Sequence, residues 1–479
     1  MKILPFIITS ILLVFSIQAK AMADTLTIQL KPTENNYLSI QNALSAKTDK
    51  PLKIILDGVF KIDRTLTTEK DHTSIDFTKN SKILFTTNDN TGIIFKNNNC
   101  VLKNGKIEGT GKSASNFYVG YGILIYGSDN NKVLNTTFTK MSGAAIFMMY
   151  RTKGCDHNLI SGNKIRDSAF YLGEKGDEAA IFLGYSGDNY FHNNNIVENN
   201  EIDGNNILKI GIGLIGHGQH NTFRNNNIKN CLNYGIVAYE SIYTDLSLSG
   251  TQILNNFVEN IGEIGNRTTK KGMGIYLLKS KDSKISGNTV KNAMKNSDRS
   301  ETLGSGGISV SISPNTLVEN NIVDGSAMYG IQSDYSFGSV FKNNKVSNTG
   351  RSGAYFINMN DVLIDGNTFR NCAAPVIKGY FQYTSFRNIG DQLNTNQYKN
   401  ISTGSNFIMI NNSIYTDQVA VSFQGIENDT SKNVIGNRIK NNVFKDNKII
   451  GSTTDLSKII LFQNEITGSN KILNNLLRR

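Results

Sequence analysis

Three residue types that can move a proton occur near the middle of the chain. His217 stands in Gly216-His217-Gly218, beyond a Gly-Ile-Gly segment whose small outward residues leave space for a ligand. Tyr239 and Lys271 follow downstream. Histidine, tyrosine and lysine can each take a proton from a carbon beside a carboxylate once that carboxylate is neutralised. We therefore predict that these three residues are catalytic.

Neutralising a carboxylate and holding a sugar require a further set of basic, aromatic and acidic side chains. The positions that we predict to bind such a substrate are Arg151, Tyr185, Glu240, Lys270 and Arg299. Arginine and lysine pair with carboxylates, while tyrosine and glutamate hydrogen-bond to hydroxyl groups. Together with the three catalytic residues, this set suits cleavage of a uronate by β-elimination.

Three acidic residues form the one nearby cluster that could hold a metal ion, namely Asp177, Glu178 and Asp188. Carboxylate oxygens suit calcium, although the spacing is not that of an EF-hand. Calcium is therefore the one cofactor that the sequence suggests. Asp177, Glu178 and Glu240 also leave inverting hydrolysis open, because that reaction uses carboxylates roughly 6.5–9.5 Å apart.

The charge balance points to an anionic partner. Charged residues make up 19% of the chain and the net charge is +11, so the surface field is positive. The basic residues are scattered, with no basic run and no zinc spacing, which favours an acidic polysaccharide over nucleic acid. A basic surface without any ligand is the alternative.

The chain begins like an exported bacterial protein. Lys2 precedes an apolar run from Ile3 to Ile17, which ends near the small residues Ala21 and Ala23. This pattern predicts a signal peptide over residues 1–23 and a periplasmic or secreted location. No apolar stretch is long enough to predict a membrane span. We expect a monomer with buried, unpaired thiols at the four cysteines, Cys100, Cys155, Cys231 and Cys372.

A recurring phrase indicates how these residues are positioned. Gly-Ile, an alternation of apolar and polar residues, a polar turn and an Asn-centred segment recur from Gly122, Gly274, Gly307 and Gly330. Gly307, Gly330 and Gly353 stand 23 residues apart, which suits one three-strand coil of a solenoid. The alternation directs every second side chain into a core. The pattern predicts an all-β fold, a right-handed parallel β-helix.

Asparagines recur once per coil and predict a stacked ladder at one corner. The predicted ladder positions are Asn163, Asn194, Asn226, Asn256, Asn288, Asn320, Asn344 and Asn367. Stacked asparagines would satisfy backbone groups that the bend leaves unpaired. Aligning the Gly-Ile strands places Tyr126, Tyr239, Ser311 and Asp334 in one outward column.

Longer corner segments before the Gly-Ile strands would wall a ligand groove on one edge of the solenoid. The predicted insertions are residues 168–179, 200–210, 261–273 and 292–306. A helix at Asn36–Lys47 would cap the open end, because an uncapped solenoid exposes strand edges. We therefore divide the chain into a signal peptide at 1–23, a capping segment at 24–51 and a β-helix at 52–479, in which the less regular region 380–445 forms terminal coils.

The chain resembles the pectin-lyase-like β-helix superfamily over residues 52–475. The resemblance rests on the predicted helix, on the segment Ile54-Ile55-Leu56-Asp57-Gly58 after it, and on the coils that follow. The resemblance implies the fold, and it implies an activity on polysaccharide among lyases, hydrolases, epimerases, phage depolymerases and noncatalytic binders. Gly216-His217-Gly218 also occurs in the polygalacturonases, but their acidic motifs are missing here.

We predict an exported lyase that cleaves a uronate-containing polysaccharide. A noncatalytic periplasmic β-helix that binds polysaccharide or assists export or maturation is one alternative. A glycoside hydrolase or epimerase on the same fold is the other. A depolymerase or adhesin would need a trimerisation or anchoring segment, which we do not recognise.

Overall fold

Short strands with inward apolar residues follow one another along the whole chain and stack in register. In this computed structural model the described residues are 24–113, 115, 119–168, 179–184, 190–240, 248–262, 272–294, 305–381, 404–425, 439–452, 455–463 and 469–478. Each coil adds one strand to each of three parallel sheets. Because every strand pairs with its counterparts in the neighbouring coils, the chain forms a parallel β-helix, as predicted.

Sheet 1 contains the Gly-Ile strands. Its strands are β4 (Leu66–Thr67), β7 (Ile93–Phe95), β10 (Ile123–Tyr126), β13 (Ile146–Met149), β16 (Ala179–Leu183), β19 (Ile210–Ile215), β22 (Tyr234–Tyr239), β26 (Met273–Leu278), β30 (Gly306–Ser311), β33 (Tyr329–Asp334), β36 (Ala354–Ile357), β39 (Ile377–Phe381), β42 (Val421–Gly425) and β45 (Ile460–Gln463).

Sheet 2 follows sheet 1 in every coil. Its strands are β1 (Leu26–Leu30), β2 (Leu52–Leu56), β5 (Thr73–Phe77), β8 (Val101–Lys103), β11 (Lys132–Leu134), β14 (Leu159–Ser161), β17 (Ile196–Glu198), β20 (Thr222–Arg224), β24 (Gln252–Leu254), β28 (Lys284–Ser286), β31 (Leu317–Glu319), β34 (Val340–Lys342), β37 (Leu363–Asp365), β40 (Ile408–Ile410), β43 (Val443–Lys445) and β46 (Lys471–Leu473).

Sheet 3 closes each coil. Its strands are β3 (Val59–Ile62), β6 (Lys82–Phe85), β9 (Lys106–Glu108), β12 (Thr137–Thr139), β15 (Lys164–Arg166), β18 (Glu201–Asp203), β21 (Asn227–Lys229), β25 (Phe257–Glu259), β29 (Thr289–Lys291), β32 (Ile322–Asp324), β35 (Lys345–Thr349), β38 (Thr368–Cys372), β41 (Ser413–Tyr415), β44 (Lys448–Ile450) and β47 (Leu476–Arg478). A small extra pair, β23 (Leu248–Ser249) and β27 (Ser280–Lys281), lies beside sheet 2.

The ends of the solenoid differ. Helix α1 (Asn36–Leu44) begins after Asn35, whose side chain accepts a hydrogen bond from the Leu38 N–H. The helix buries Ile40, Ala43 and Leu44 on the first coil, which confirms the predicted cap, although the helix ends before Lys47. A second short helix, α2 (Leu456–Ile459), precedes β45. No helix in the described ranges is long and apolar enough to span a membrane.

The corner between sheets 2 and 3 holds a continuous asparagine ladder. Its members are Asn163, Asn200, Asn226, Asn256, Asn288, Asn321, Asn344, Asn367, Asn412, Asn447 and Asn475. Each side-chain oxygen accepts the backbone N–H and the side-chain amide of the preceding member; Asn288 takes both from Asn256 at 2.9 and 3.0 Å. Buried backbone groups at the bend are thereby satisfied.

Two of the predicted ladder positions, Asn194 and Asn320, were wrong. Both have a left-handed backbone, with φ of 55°. Asn320 is the residue before the true ladder member Asn321. Asn194 precedes Asn195, which belongs to a shorter ladder between sheets 1 and 2. Asparagine tolerates the left-handed region and also stacks well, so neighbouring asparagines are easily confused in the sequence.

The glycine of each Gly-Ile pair lies against the core side chain of the next sheet 3 strand along the chain. A Cβ atom on Gly235 would stand 2.3 Å from Val258 Cγ1, and one on Gly274 would stand 2.3 Å from Val290 Cγ1. No side chain fits in that space. The glycine therefore recurs for a packing reason, which explains the repeat that identified the fold.

The corner between sheets 3 and 1 carries most of the predicted insertions. Segments 168–179, 261–273 and 292–306 each join a sheet 3 strand to the next sheet 1 strand, so they share this edge. The predicted insertion at 200–210 begins too early, because Asn200 belongs to the ladder and β18 follows it; only residues 204–209 join β18 to β19 at this corner. The four cysteines are free, as expected, and Cys372 alone is partly exposed. Among the described residues, strands of the three sheets continue through β47.

Candidate functional site

The outer face of sheet 1 lies beside the corner with the long segments, and its side chains fall into columns that run along the solenoid. The outer column at the carboxyl ends of the strands, called here the end column, runs through Tyr126, Met149, Ile215, Tyr239, Leu278, Ser311, Asp334, Ile357 and Tyr380. The predicted alignment of Tyr126, Tyr239, Ser311 and Asp334 is confirmed.

Most of this face from β10 to β26 is apolar and buried, in a cluster separate from the main core. Tyr121 packs edge-on against Phe147 at 4.9 Å between ring centroids, and Phe147 stacks on Phe182 at 5.0 Å. The space expected above the small residues before His217 is also filled. A Cβ atom on Gly213 would meet Phe182 and neighbouring side chains at 3.3–3.6 Å.

The face becomes polar at β30 and β33. Ser309, Ser311, Gln332 and Asp334 all have no measurable exposure. Where the earlier strands carry aromatic rings on this face, β30 and β33 carry two serines, an amide and a carboxyl. These side chains form a buried polar area. Buried polar groups are costly unless they are hydrogen-bonded or functional, so this area marks the strongest candidate site among the described residues.

Asp334 is the central residue of this area. Its Oδ2 accepts a hydrogen bond from Ser311 Oγ at 2.7 Å, whereas its Oδ1 has no hydrogen-bond partner among the described residues. Burial raises the pKa of the Asp334 carboxyl to about 7, and the Ser311 hydrogen bond only partly opposes this rise. The side chain can therefore exist in either protonation state near neutral pH.

Tyr276 reaches the same area from the preceding strands. Burial raises the pKa of its phenol well above the ordinary value, and electrostatic interactions with Asp334 and Tyr239 add to the rise, while a Ser311 hydrogen bond opposes it. The phenol is consequently protonated at neutral pH. The area thus contains a carboxyl that can lose its proton near neutral pH, on Asp334, and a hydroxyl that keeps its proton, on Tyr276.

Basic side chains border the area on its far side. The Lys378 ammonium lies 4.9 Å from the centre of the Tyr355 ring. Lys378 is on β39, two strands beyond β33, which carries Gln332 and Asp334. Arg351 lies over Tyr329 and is 3.3 Å from its hydroxyl. Both cations lie against aromatic rings, an arrangement that keeps positive charge at this border of the polar area.

His217 and Glu240 lie at the corner that follows sheet 1, in consecutive coils. His217 Nδ1 contacts a Glu240 carboxylate oxygen, and the two side chains are only 2% and 1% exposed. The His217 ring also packs on Phe191, with centroids 5.5 Å apart. The structure therefore brings two predicted site residues together, in a buried pair that lies several coils before Asp334.

The other described site residues, Tyr239 and Arg151, are at least partly exposed. Tyr239 lies in the end column and influences the Tyr276 phenol electrostatically. Arg151 lies beside Tyr126, whose strand β10 is four strands before the Tyr239 strand β22 in sheet 1. The remaining predicted residues fall outside the described ranges: Lys271, Tyr185, Lys270 and Arg299, together with the calcium candidates Asp177, Glu178 and Asp188. No group of potential metal ligands occurs within those ranges.

Sequence reasoning aligned Asp334 and Ser311 with the tyrosines but did not assign them to the site. A usable signal was present. At two successive strands the outward positions change from large apolar residues to Ser309 and Ser311, and then to Gln332 and Asp334. A buried carboxyl on a sheet that is otherwise apolar outside is a stronger indication than a loop lysine.

Comparison with protein families supports this architecture. The model of the right handed beta helix region matches residues 91–290 and 257–397, which together cover more than half of the chain. The chain belongs to the right-handed β-helix family. No curated protein sequence matches this family member.

Several solved structures have a similar fold. PfbA, a surface adhesin of Streptococcus pneumoniae, is 15% identical with a TM-score of 0.49, over 72% of this chain and 87% of that chain. The A-module of the mannuronan C-5 epimerase AlgE6 of Azotobacter vinelandii is 11% identical with a TM-score of 0.41, over 92% and 93%. The alginate lyase AlyF-OU02 is 11% identical with a TM-score of 0.46, over 97% and 88%. Such likeness concerns the fold alone.

Proposed function

We propose that this β-helix protein is a polysaccharide lyase that cleaves a uronate-containing polymer by β-elimination. The observation that carries the proposal is the buried Asp334 carboxyl, whose pKa is about 7, beside the protonated Tyr276 phenol on the outer face of sheet 1. A base and an acid on one face meet the two proton-transfer needs of this reaction.

Asp334 and Tyr276 are buried in the free protein, so the proposed reaction requires that the bound polymer displaces the side chains that cover them. Ionised Asp334 then takes the proton from C5 of the uronate. The electrons of the C5–H bond form the C4=C5 double bond, and the C4–O4 bond breaks. Tyr276 donates its proton to the leaving O4, which becomes a hydroxyl group. The products are an unsaturated uronate and a shortened polymer, and the two proton transfers leave the total charge unchanged.

The substrate carboxylate must be neutralised before C5 becomes acidic enough to react. Lys378 is the described cation best placed for this role, because its ammonium lies over the Tyr355 ring near Gln332 and Asp334. Lys270, Lys271 and Arg299 remain sequence predictions for the same task. A calcium ion held by Asp177, Glu178 and Asp188 remains a further proposal.

Two of the residues that we predicted as catalytic take supporting roles in this scheme. Tyr239 shares the electrostatic environment of Tyr276 and is partly exposed, which suits contact with a sugar. His217 is buried against Glu240 and Phe191, so we propose that it positions the corner beside Tyr239. We further propose that the protein acts in the periplasm or after secretion.

The test is to incubate the purified protein with alginate, polygalacturonate, glycosaminoglycans and bacterial capsular polysaccharides, with and without calcium. Ultraviolet absorbance of the unsaturated product and the number of new reducing ends are followed together. Both signals should rise with one polymer and be lost in Asp334→Asn and Tyr276→Phe. New reducing ends without absorbance would instead indicate a hydrolase, and neither signal would favour a noncatalytic binding protein.

A further inference from the structure

A cluster of tyrosines and one arginine lies near the start of the end column, far from Asp334. Tyr150 stacks on Tyr190 with ring centroids 5.1 Å apart and an interplanar angle of 20°. Tyr190 is 37% exposed. The Arg151 guanidinium lies 5.9 Å from the centre of the Tyr126 ring. Three coils thus contribute one exposed patch, named here the tyrosine–arginine patch.

The backbone holds Arg151 against this patch. Gly127 has φ of +56°, and a Cβ atom there would stand only 2.7 Å from Arg151 Cβ, so only glycine permits the close approach. Within the described ranges the Arg151 guanidinium has no carboxylate partner. Its neighbour Lys153, in contrast, pairs with Asp129. An exposed guanidinium that has no carboxylate partner among the described residues is suited to bind an anion from solution.

The patch and the proposed reaction centre lie on one line. Tyr126 and Asp334 belong to the same end column and are separated by seven strand steps, which corresponds to roughly 34 Å at about 4.8 Å per step. Between them, Tyr239 and Leu278 are partly exposed, whereas the neighbouring outer positions Val237 and Tyr276 are buried. Ile215, Ser311 and Asp334 in the same column are buried, so the exposed positions of the end column form separate places along sheet 1.

We propose that the tyrosine–arginine patch is a remote binding site for the same anionic polysaccharide, at a distance from Asp334 along sheet 1. Tyrosine rings offer flat surfaces on which sugar rings stack, and Arg151 pairs with a uronate carboxylate. This inference rests on the proposed function for the identity of the polymer. It implies a preference for long chains, because a trisaccharide is too short to reach both places.

Binding can be measured apart from catalysis by affinity electrophoresis in gels that contain alginate, polygalacturonate or, as a neutral control, dextran. Wild-type protein should be retarded by at least one anionic polymer and not by dextran. Arg151→Ala should weaken that apparent affinity about tenfold, since a hydrogen bond to a charged group contributes that much. Tyr190→Ala, which removes an exposed ring, should weaken it as well.

The matched control is Arg224→Ala, which removes the same charge from sheet 2, where Arg224 pairs with Glu198 at 2.6 Å. This variant should bind like the wild type. The remote site would be overturned if Arg151→Ala and Tyr190→Ala were retarded as strongly as the control. It would also be overturned if neither anionic polymer retarded the wild-type protein. Product formation plays no part in these outcomes, so a failure of the lyase proposal is recognised separately by the absence of unsaturated product.

Discussion

Replacing Asp334 with asparagine should change how stability depends on pH. The pKa of this carboxyl is about 7 in the folded protein against an ordinary value of 3.8, because the side chain is buried without a cationic partner among the described residues. Between these two values the folded protein binds one proton more than the unfolded chain. Stability therefore falls as pH rises through this window and is constant above it.

The magnitude follows from the two pKa values. Each pH unit within the window changes the free energy of unfolding by about 1.4 kcal/mol, so the wild type should lose roughly 3 kcal/mol between about pH 5 and about pH 8 through this group alone. An asparagine side chain cannot ionise but keeps the shape of the aspartate. In Asp334→Asn this loss should be missing, so the variant should become relatively more stable at the higher pH.

The assay is urea unfolding followed by circular dichroism at both pH values. The quantity of interest is the difference in unfolding free energy between variant and wild type, compared between the two conditions. Asp49→Asn, at an exposed position after α1, controls for a general effect of removing a carboxylate. A difference that stays the same at both pH values, within the scatter of the control, would refute the buried, destabilised carboxylate at Asp334.

Three further predictions concern packing, the ladder and the proposed acid. Gly274→Ala should destabilise the fold by about 1–3 kcal/mol, because the new Cβ atom would stand 2.3 Å from Val290 Cγ1, and thermal unfolding should show a lower midpoint. Asn288→Ala leaves two buried donors of Asn256 unpaired and should cost about 2–4 kcal/mol in urea unfolding, whereas exposed Asn227→Ala should cost little. Tyr276→Phe should retain the thermal midpoint yet slow product formation on the order of a hundredfold, because only the proton donor is lost; a normal rate would exclude this role.

The fold was predictable because its determinants are local and repeated. Gly235 and Gly274 recur since a core valine leaves no room for a Cβ atom, and the alternation after each glycine reports the inward column directly. The ladder was less predictable. Asn320 and Asn321 have different roles, one in a left-handed turn and one in the stack, although the residue type is the same.

The site was predictable only in part, because burial is a property of the whole coil stack. Aligning the Gly-Ile repeats of the chain placed Asp334 in the correct column, but the raised pKa of Asp334 depends on how completely its surroundings exclude water. His217 drew attention through its flanking glycines, yet the structure buries it against Glu240 and Phe191. Neighbours that are distant in sequence decide which outward residue meets solvent and which does not.

The most direct test of the central claim is the initial rate of unsaturated product formation, measured against pH with the polymer that the protein cleaves. If ionised Asp334 is the base, the rate should rise with pH through about 7 and then level off, since the base must be deprotonated to act. Asp334→Asn should lower the plateau by about a hundredfold or more. A rate that does not change across this range, or an Asp334→Asn variant as active as the wild type, would contradict the account.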